Sequence, residues 1–252
     1  MTQTWIGIGI DEEHEKVLRS ISRSRCASRI ICYCRPGTLS GIDQVKYRED
    51  PAPGNALVGD LYRGKLAAAV RGTLPSNSTL STLKKTAGVD HLERAALLET
   101  ATGIRFLLAP VGVDEGWTVD EKVLLVSHAK RLAGRMGLLG EVAILSGGRL
   151  GDAGRHPRVD ESLAQAEKVA SLTGARHFQI LIEDAIKVSS VLIAPDGISG
   201  NLIFRTLTFL GSGQGHGAPV LNIDRIFIDT SRANADYANA LNLADTLLGK
   251  SD

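Results

Sequence analysis

The chain has 252 residues, of which 43% are hydrophobic and 23% are charged, an ordinary composition for a soluble globular protein. A formal net charge of +1 and an aromatic content of 4% give no basis for binding nucleic acid or an anionic membrane surface. No apolar run approaches the roughly 20 residues that span a bilayer, and the first residues lack the features of a signal peptide. We therefore expect a cytoplasmic protein made of one large α/β domain or of two small lobes.

Several classes of site are disfavoured by the motifs. The cysteines Cys26, Cys32 and Cys34 are an odd number crowded near one end, so we predict buried thiols rather than a disulfide framework. The six histidines show no metal-ligand spacing such as His-Glu-x-x-His, so no metal site is expected. The full dinucleotide fingerprint and the Gly-x-Ser-x-Gly motif are also missing, which disfavours a Rossmann dehydrogenase and an α/β-hydrolase.

Hydrophobic periodicity predicts alternating strands and helices, beginning β-α-β, which is typical of a parallel sheet. The clearest helix is Thr118–Met136, where Thr118 and Glu121 form a capping box and Gly137 follows as a C-cap. The predicted strands are Trp5–Ile10, Arg29–Cys34, Arg94–Glu99, Ile104–Pro110 (paired with the preceding strand as an antiparallel hairpin), Glu141–Leu145, Phe178–Ile182, Val191–Ala194 and Pro219–Ile223. The other predicted helices are Glu12–Ser24, Asp60–Thr73, Ser78–Thr86, Val159–Leu172, Asn201–Leu210 and Ala233–Leu248.

The stretch Val191–Asn201 combines a buried strand, a turn and a helix start. Asp196 can cap the helix, Gly200 lets a ligand or another backbone come close, and Asn201 can point towards a ligand. Ligands bind at the carboxyl ends of strands in open α/β sheets, and free N–H groups at a helix start attract anions. The alternative is a plain strand-turn-helix unit with structural glycines.

Three further stretches carry groups suited to anions. Thr230-Ser231-Arg232, predicted to open the last helix, offers a hydroxyl beside a guanidinium, although a simple cap with a solvated arginine is an equal alternative. The loop Ser146–Arg155 is rich in glycine and arginine, and it could close over an anion or be a mobile surface loop. The polar break from Arg71 through Thr73 to Ser78 is explained at least as well by two helix caps.

These motifs together resemble a known superfamily. VLIAPDGISGNLIFRTLTFLG is similar to the C-terminal signature of phosphate acetyltransferases and butyryltransferases, and Asp229-Thr230-Ser231-Arg232 resembles their Asp-Leu-Ser-Arg. EVAILSGGRLGD resembles their strand and loop upstream, and Gly64–Thr73 resembles the helix before their first substrate loop. Within the superfamily, the short length and RGTLPSNSTL look most like the methanogen MtxX group (methyltransferase-related subunit X, or methanogenesis marker protein 4).

The resemblance implies a three-layer α/β/α fold like that of isocitrate and isopropylmalate dehydrogenases, with two lobes and a cleft between them. Lobe one would comprise residues 1–90 and 222–252, and residues 91–221 would form an inserted lobe two. By position in the superfamily, Ser231 and Arg232 would hold a phosphoryl or acyl-phosphate group. The family's arginine in the first substrate loop has no clear counterpart, and Arg71 is the candidate substitute for it. The other candidate substrate-binding residues are Thr73, Ser146, Gly147, Asp196, Gly200 and Asn201.

The chain departs from the transacetylase pattern at the expected catalytic acid. Position 238 is an alanine, and Asp236 is the nearest candidate acid, about half a helical turn away. The resemblance thus implies a transferase that binds a phosphorylated small molecule, with coenzyme A as a candidate cofactor and a homodimer as a candidate assembly. The alternatives are a true phosphate acyltransferase, a relative with a vestigial cleft, and a non-catalytic subunit that assembles with methyltransferase or corrinoid protein subunits. The sequence contains no S-adenosylmethionine loop and no cobalamin-type histidine motif.

Overall fold

The computed structural model describes residues 4–249 and divides into two compact units. The first unit comprises Met1–His91 and His216–Asp252, and the second comprises Leu92–Gly215. Each unit contains one six-stranded sheet with helices packed against it. Among the described residues, no helix has both the length and the apolar character that crossing a bilayer requires.

Strands and helices alternate along most of the chain. Single turns of 3-10 helix occur at Ala27–Arg29 and Leu150–Asp152. The strands are β1 (Ile6–Gly9), β2 (Ile30–Cys34), β3 (Lys46–Glu49), β4 (Ala68–Val70), β5 (Ala96–Glu99), β6 (Arg105–Ala109), β7 (Glu141–Leu145), β8 (Arg176–Gln179), β9 (Ser189–Ile193), β10 (Gln214–Gly215), β11 (Ala218–Pro219) and β12 (Ile226–Asp229). The helices are α1 (His14–Arg23), α2 (Pro53–Tyr62), α3 (Ser76–Ala87), α4 (Val119–Met136), α5 (Pro157–Thr173), α6 (Ile182–Ala185), α7 (Gly197–Phe209) and α8 (Ala238–Leu248).

The sheet of the first unit has the strand order β11-β12-β4-β1-β2-β3. Every neighbouring pair is parallel except β11, which runs antiparallel to β12. Helix α2 packs against β1 and α3, whereas α8 packs against β4, β12 and α1. Strands β1 and β4 are buried along their whole length, because a parallel sheet with helices packed against it leaves no strand face to water.

The sheet of the second unit has the order β10-β5-β6-β9-β7-β8. Strands β6, β9, β7 and β8 are parallel, whereas β5 and β6 form the predicted antiparallel hairpin. The capping of α4 is also confirmed: the Thr118 hydroxyl accepts a hydrogen bond from the Glu121 N–H at 3.2 Å, and Gly137 ends the helix at φ 71°. The carboxyl ends of β7 and β9 lead into the glycine-rich loop and into α7.

The predicted helix over Asp60–Thr73 is wrong. Helix α2 ends at Tyr62, Gly64 turns the chain at φ +74°, and β4 then runs between β1 and β12. Alanine has the highest intrinsic helix propensity, but Ala68 and Ala69 are fully buried in a strand that is hydrogen-bonded on both sides. Tertiary packing therefore overrides the local preference, and the proposed similarity of Gly64–Thr73 to a helix does not hold.

The structure also corrects other element boundaries. Helix α7 begins at Gly197, four residues before the predicted start at Asn201. The predicted strand Phe178–Ile182 ends at Gln179, which has φ 59°, and the short helix α6 follows. The predicted strand Pro219–Ile223 is reduced to the two residues of β11. Helix α8 begins at Ala238 and not at Ala233, because Asp236 accepts a hydrogen bond from the Ala238 N–H at 3.0 Å and terminates the turns before it.

Candidate functional site

The loops that follow β1, β4 and β12 are tied together at the carboxyl edge of the first sheet. The hydroxyl of Thr73 accepts hydrogen bonds from the backbone N–H groups of Asp11 (2.9 Å) and Glu12 (3.3 Å). The hydroxyl of Thr230 donates to the Gly72 carbonyl at 2.9 Å. Because both threonines are buried, Thr73, a predicted substrate-binding residue, lies at the base of this loop cluster.

Arg71 is buried beneath the same loops. Its Nε donates to Asp229 Oδ1 at 2.5 Å, its Nη1 donates to the Leu74 carbonyl at 2.5 Å, and its Nη2 donates to the Thr230 carbonyl. Each guanidinium nitrogen therefore has a protein acceptor. Arg71 therefore stabilises the loop after β12, and its side chain does not point towards solvent.

Ser231, Arg232 and Asp236 lie in the turns between β12 and α8, not at the start of a helix as the sequence predicts. The Ser231 hydroxyl accepts a hydrogen bond from the Ala233 N–H at 3.2 Å. Asp236 accepts a hydrogen bond from the N–H of Ala238, the first residue of α8, and pairs with Arg23 at 3.0 Å. The local geometry is therefore that of a hydroxyl-stabilised turn followed by a helix that begins at Ala238.

Arg232 has the most open guanidinium of this loop cluster. Its side chain is 51% exposed, and its Nη1 lies 3.5 Å from Glu12 Oε1. Lys16 donates to the Arg232 carbonyl at 3.1 Å and pairs with Glu13, and Arg35 pairs with Asp11 at 3.1 Å. The exposed edge thus mixes cations with carboxylates, and among the described residues the Arg232 guanidinium is hydrogen-bonded to Glu12 alone.

In the second unit, the start of α7 is fastened to the loop after β6. Asp196 caps the helix by accepting a hydrogen bond from the Ser199 N–H at 2.8 Å. A Cβ atom on Gly200 would lie 1.9 Å from the Pro110 carbonyl oxygen, and the Asn201 amide donates to the Val111 carbonyl at 2.9 Å. Gly200 therefore allows another backbone to come close, which is one of the two roles that the sequence allowed for it, whereas the Asn201 amide, predicted to point towards a ligand, bonds that backbone.

Ser146 and Gly147 begin the loop after β7. The buried Ser146 hydroxyl donates to the Gly148 carbonyl at 2.9 Å and lies 2.9 Å from Nε2 of His177, whose pKa is lowered by burial. The Gly147 N–H donates to the Ser162 hydroxyl at 2.8 Å. Ser146 therefore shapes the loop from inside, while Gly147 is exposed.

A pocket of about 340 Å³ lies where β7 and β9 end. It brings together two of the predicted site residues, Gly147 and Asp196, with residues from α5 and with Trp117, which precedes α4. Its walls are formed by Trp117, Gly147, Arg158, Val159, Glu161, Ser162, Gln165, Pro195, Asp196 and Ser199. The position agrees with the general rule that ligands bind at the carboxyl ends of strands in open α/β sheets.

The sequence analysis missed Lys122. This residue is 4% exposed, and its ammonium donates to Oε1 of the pocket residue Gln165 at 2.5 Å. Burial lowers the pKa of Lys122, while the charges of Asp196, Glu121 and Glu161 oppose that change. The sequence contains a signal for the burial of Lys122. This residue precedes the buried Leu125 and Val126 by three and four positions, so it shares the buried face of α4.

Within residues 4–249, no group of three or more histidine, cysteine, aspartate or glutamate side chains is arranged to hold a metal ion. The three cysteines are free and buried, and burial, with a smaller contribution from Cys34, raises the pKa of Cys32 to about 12.

Comparison with solved structures identifies the class of fold. The chain superposes on a branched-chain phosphotransacylase from Enterococcus faecalis with a TM-score of 0.78 and 16% identity, covering 98% of this chain and 100% of that one. A phosphotransacetylase from Streptococcus pyogenes gives a TM-score of 0.72 and 16% identity, with 100% and 96% covered. The protein therefore has the fold of the phosphotransacylases, as the sequence predicts.

Sequence relatives identify the family, although no protein-family model matches the chain. A protein of Methanosarcina acetivorans named "Putative methyltransferase mtx subunit X" is 41% identical, covering 98% of this chain and 91% of the relative. An uncharacterized methyltransferase of Methanocaldococcus jannaschii is 34% identical, covering 96% of both chains. The chain belongs to the mtx subunit X family, which confirms the predicted resemblance.

Proposed function

We propose that this protein is a transferase that binds a phosphate- or acyl-phosphate-like anion through Arg232 and Ser231. The observation that carries the proposal is the position of Arg232, directly after β12 at the carboxyl edge of the first sheet, with half of its side chain exposed. A guanidinium forms paired hydrogen bonds to phosphate oxygens, and carboxyl edges are where open α/β sheets bind ligands.

The neighbouring groups extend this anion site. The Ser231 oxygen already accepts the Ala233 N–H, so its own proton is available to donate to a ligand oxygen. Lys16 donates to the Arg232 carbonyl and so places a second cation at the same turn. In acyl transfer from an acyl phosphate, the acyl carbon forms a bond to the acceptor and releases phosphate. Arg232 and Ser231 would stabilise the charge that develops on that leaving group.

The structure offers weaker support for an acyl acceptor and for the base that would deprotonate it. Coenzyme A is the candidate acceptor by analogy with the phosphotransacylase fold, and its thiol must lose a proton during transfer. Asp236 is the nearest acid to the family position, but it is engaged by Arg23 and by the Ala238 N–H. We therefore propose anion binding as the retained property. An acyltransferase activity that depends on Asp236 would require the Arg23 ion pair to open.

Calorimetric titration with inorganic phosphate and with acetyl phosphate tests the proposal. Arg232→Ala should weaken binding by about tenfold to a hundredfold, since a hydrogen bond to a charged group contributes about 1.5–3 kcal/mol. Arg225→Ala is the matched control, because Arg225 immediately precedes the amino end of the same strand and should leave binding unchanged. Equal affinities in wild type and Arg232→Ala would disprove the anion site.

A second candidate function is that of a non-catalytic subunit of a methanogen methyltransferase system. The relatives are named as a methyltransferase subunit, and α7 and the residue after it expose apolar side chains: Ile198 (47%), Leu202 (60%) and Leu210 (83%). Exposed apolar surface of this kind is typical of a protein-binding face. A methyltransferase or corrinoid protein, or a second copy of this chain, is the candidate partner.

Co-purification with a corrinoid protein or a methyltransferase, combined with light scattering on the isolated chain, tests this alternative. Leu202→Asp should abolish an assembly formed through α7. Leu139→Asp is the matched control, since Leu139 is 94% exposed at the end of a different helix. An assembly that survives Leu202→Asp would contradict a partner on α7.

A further inference from the structure

We propose that the first unit contains a ligand site separate from the Arg232 turn, in which Lys46, Arg48 and Lys65 bind a phosphate monoester with a short apolar body. The site is a pocket of about 510 Å³ between the end of α2 and β3, the edge strand of the sheet. Lys46 is the first residue of β3 and Lys65 precedes β4, so the pocket lies at the amino ends of the strands. Because Arg232 follows the carboxyl end of β12, this proposal does not rest on the proposed function.

The register of β2 and β3 places two basic side chains on the face of the sheet that lines the pocket. Ile31 is opposite Lys46 and Tyr33 is opposite Arg48. Alternate residues of a strand point to the same face, so all four share one face. The pocket is lined by Ile31, Tyr33, Val45, Lys46, Tyr47, Arg48, Asp60 and Lys65.

One buried carboxylate serves several cations at this pocket. Asp60 is 3% exposed, and it accepts hydrogen bonds from the Tyr33 hydroxyl at 2.9 Å, from Arg63 at 2.7 Å and from Arg48. The ammonium of Lys65 lies 3.4 Å from the same carboxylate. A single negative charge is thus shared by two guanidinium groups and an ammonium, and it does not neutralise all of them.

The neighbouring groups leave this excess of positive charge uncompensated. Arg48 approaches a second carboxylate, that of Asp50, at 3.6 Å. The Lys46 ammonium lies 4.3 Å from the centre of the Trp5 ring, and it makes no hydrogen bond or ion pair with the part of the chain that the structure describes. The cluster therefore has more cations (Lys46, Arg48, Arg63 and Lys65) than carboxylates (Asp50 and Asp60). A phosphate monoester carries about two negative charges at pH 7 and would balance it.

Arg48 is held in position before a ligand binds. One of its terminal nitrogens is hydrogen-bonded to the buried Asp60, and its guanidinium carbon lies 5.9 Å from the centre of the Tyr33 ring. The side chain is nevertheless 38% exposed, so part of the guanidinium is open to a ligand. A guanidinium forms paired hydrogen bonds with phosphate oxygens, and Lys46 and Lys65 add ammonium donors to the same pocket.

The remaining wall determines the body of the ligand. Ile31, Val45, Tyr33 and Tyr47 place aliphatic and aromatic side chains beside the cations. The volume of about 510 Å³ lies within the range for small-molecule sites and exceeds what a free phosphate ion fills. The ligand that fits both the charge and the apolar wall is an aryl or short alkyl phosphate.

Trp5 fluorescence gives a local test, because the Lys46 ammonium lies over the Trp5 ring. A Trp117→Phe background leaves Trp5 as the single tryptophan of the chain. Phenyl phosphate, inorganic phosphate and benzoate are titrated separately. Phenyl phosphate should give a saturable change and bind about tenfold more tightly than either other probe, since it alone combines a dianionic head with an apolar body. The absence of a saturable change with phenyl phosphate, or binding no tighter than that of both other probes, overturns the proposal.

Substitutions of the exposed lysines test which residues form the site without disturbing the fold. Lys65→Gln should weaken the binding of phenyl phosphate by about tenfold, since it removes a charged donor. Lys85→Gln, at an exposed position of α3, is the matched control and should bind as wild type does.

Two further variants separate this site from the Arg232 turn. Arg232→Ala should leave the Trp5 response intact, so the failure of one site is distinguishable from the failure of the other. Lys46→Gln alters the surroundings of Trp5 itself, so its affinity is measured by calorimetry in the Arg232→Ala background, where we expect a loss of about tenfold. If Lys46→Gln and Lys65→Gln both bind phenyl phosphate with unchanged affinity, these residues do not form a ligand site.

Discussion

The side-chain amide of Asn201 donates a hydrogen bond to the Val111 carbonyl at 2.9 Å, and it thereby joins the first turn of α7 to the loop after β6. Gly200 makes the same junction possible, since a Cβ atom there would lie 1.9 Å from the Pro110 carbonyl oxygen. The Gly-Asn pair of the strand-turn-helix motif thus fastens a helix to its sheet. Asp196 and Ser199, which precede this pair in the sequence, are not used in the junction.

Gly200→Ala should therefore destabilise the protein even though alanine is the better helix former. The methyl group cannot be accommodated without moving the backbone of either Pro110 or α7, and overpacking of this kind costs about 1–3 kcal/mol or more. Gly134→Ala is the matched control, because Gly134 lies inside α4 with open space at its Cβ position, and it should stabilise by about 0.5–1 kcal/mol. Urea unfolding of both variants measures the difference. A neutral Gly200→Ala would contradict the close approach.

The elements that the sequence predicts well are those specified by local chemistry. Helix α4 carries its own start and stop signals in Thr118, Glu121 and Gly137, so its limits follow from residues close in sequence. The hairpin of β5 and β6 is predicted for the same reason, since its two apolar runs are separated by a short turn. Similarity in motif order then indicates the phosphotransacylase fold and the mtx subunit X family.

The features that the sequence does not predict depend on distant contacts. Strand β4 is alanine-rich, and only its position between β1 and β12 makes it a strand. Arg71 looks like a ligand residue in its own segment, but its acceptors Asp229 and Thr230 are more than 150 positions away. Lys122 is on the buried face of α4, and its hydrogen bond to the pocket residue Gln165 forms only because α5 packs beside α4.

Arg71→Ala should be strongly destabilising, because it removes three hydrogen-bond donors and breaks the ion pair between Arg71 and the buried Asp229. Breaking one side of a buried ion pair typically costs about 3–5 kcal/mol. Arg71→Lys should recover only part of this loss, since an ammonium cannot reproduce the forked geometry. Arg232→Ala, in the neighbouring loop, should change the free energy of unfolding by less than about 0.5 kcal/mol. Chemical denaturation of the three variants distinguishes a structural Arg71 from a solvent-facing one.

Asp60 should make stability depend on pH below about 4. Burial alone would raise the pKa of Asp60, but hydrogen bonds from Arg63, Arg48 and Tyr33 outweigh it and hold the pKa well below its usual range. A depressed pKa in the folded state contributes stability that is present above the unfolded pKa of about 3.9 and is lost as pH falls towards the folded value.

Between pH 7 and pH 3, wild type should therefore lose about 1 kcal/mol that Asp60→Asn does not lose. Asp60→Asn should also be less stable than wild type at pH 7, because Arg48 and Arg63 lose their carboxylate partner. The exposed Asp43 provides a control, and Asp43→Asn should keep the wild-type acid profile. Parallel acid profiles for wild type and Asp60→Asn would show that this carboxyl is not selectively stabilised.

Lys122 should also make stability rise with pH, but in the alkaline range. Its pKa is lowered in the folded protein by burial, and the charges of Asp196, Glu121 and Glu161, which face it from three helices or their caps, oppose that change. In the unfolded chain, the lysine keeps its proton up to about pH 10.4. Between the folded and unfolded pKa values the unfolded state therefore binds more protons, and stability rises with pH.

The free energy of unfolding of wild type minus that of Lys122→Met should therefore increase from pH 7 to pH 10. Lys130→Met, on the exposed side of the same helix, should show no such increase. A constant difference for Lys122→Met across this range would mean that the ammonium is fully compensated in the folded protein.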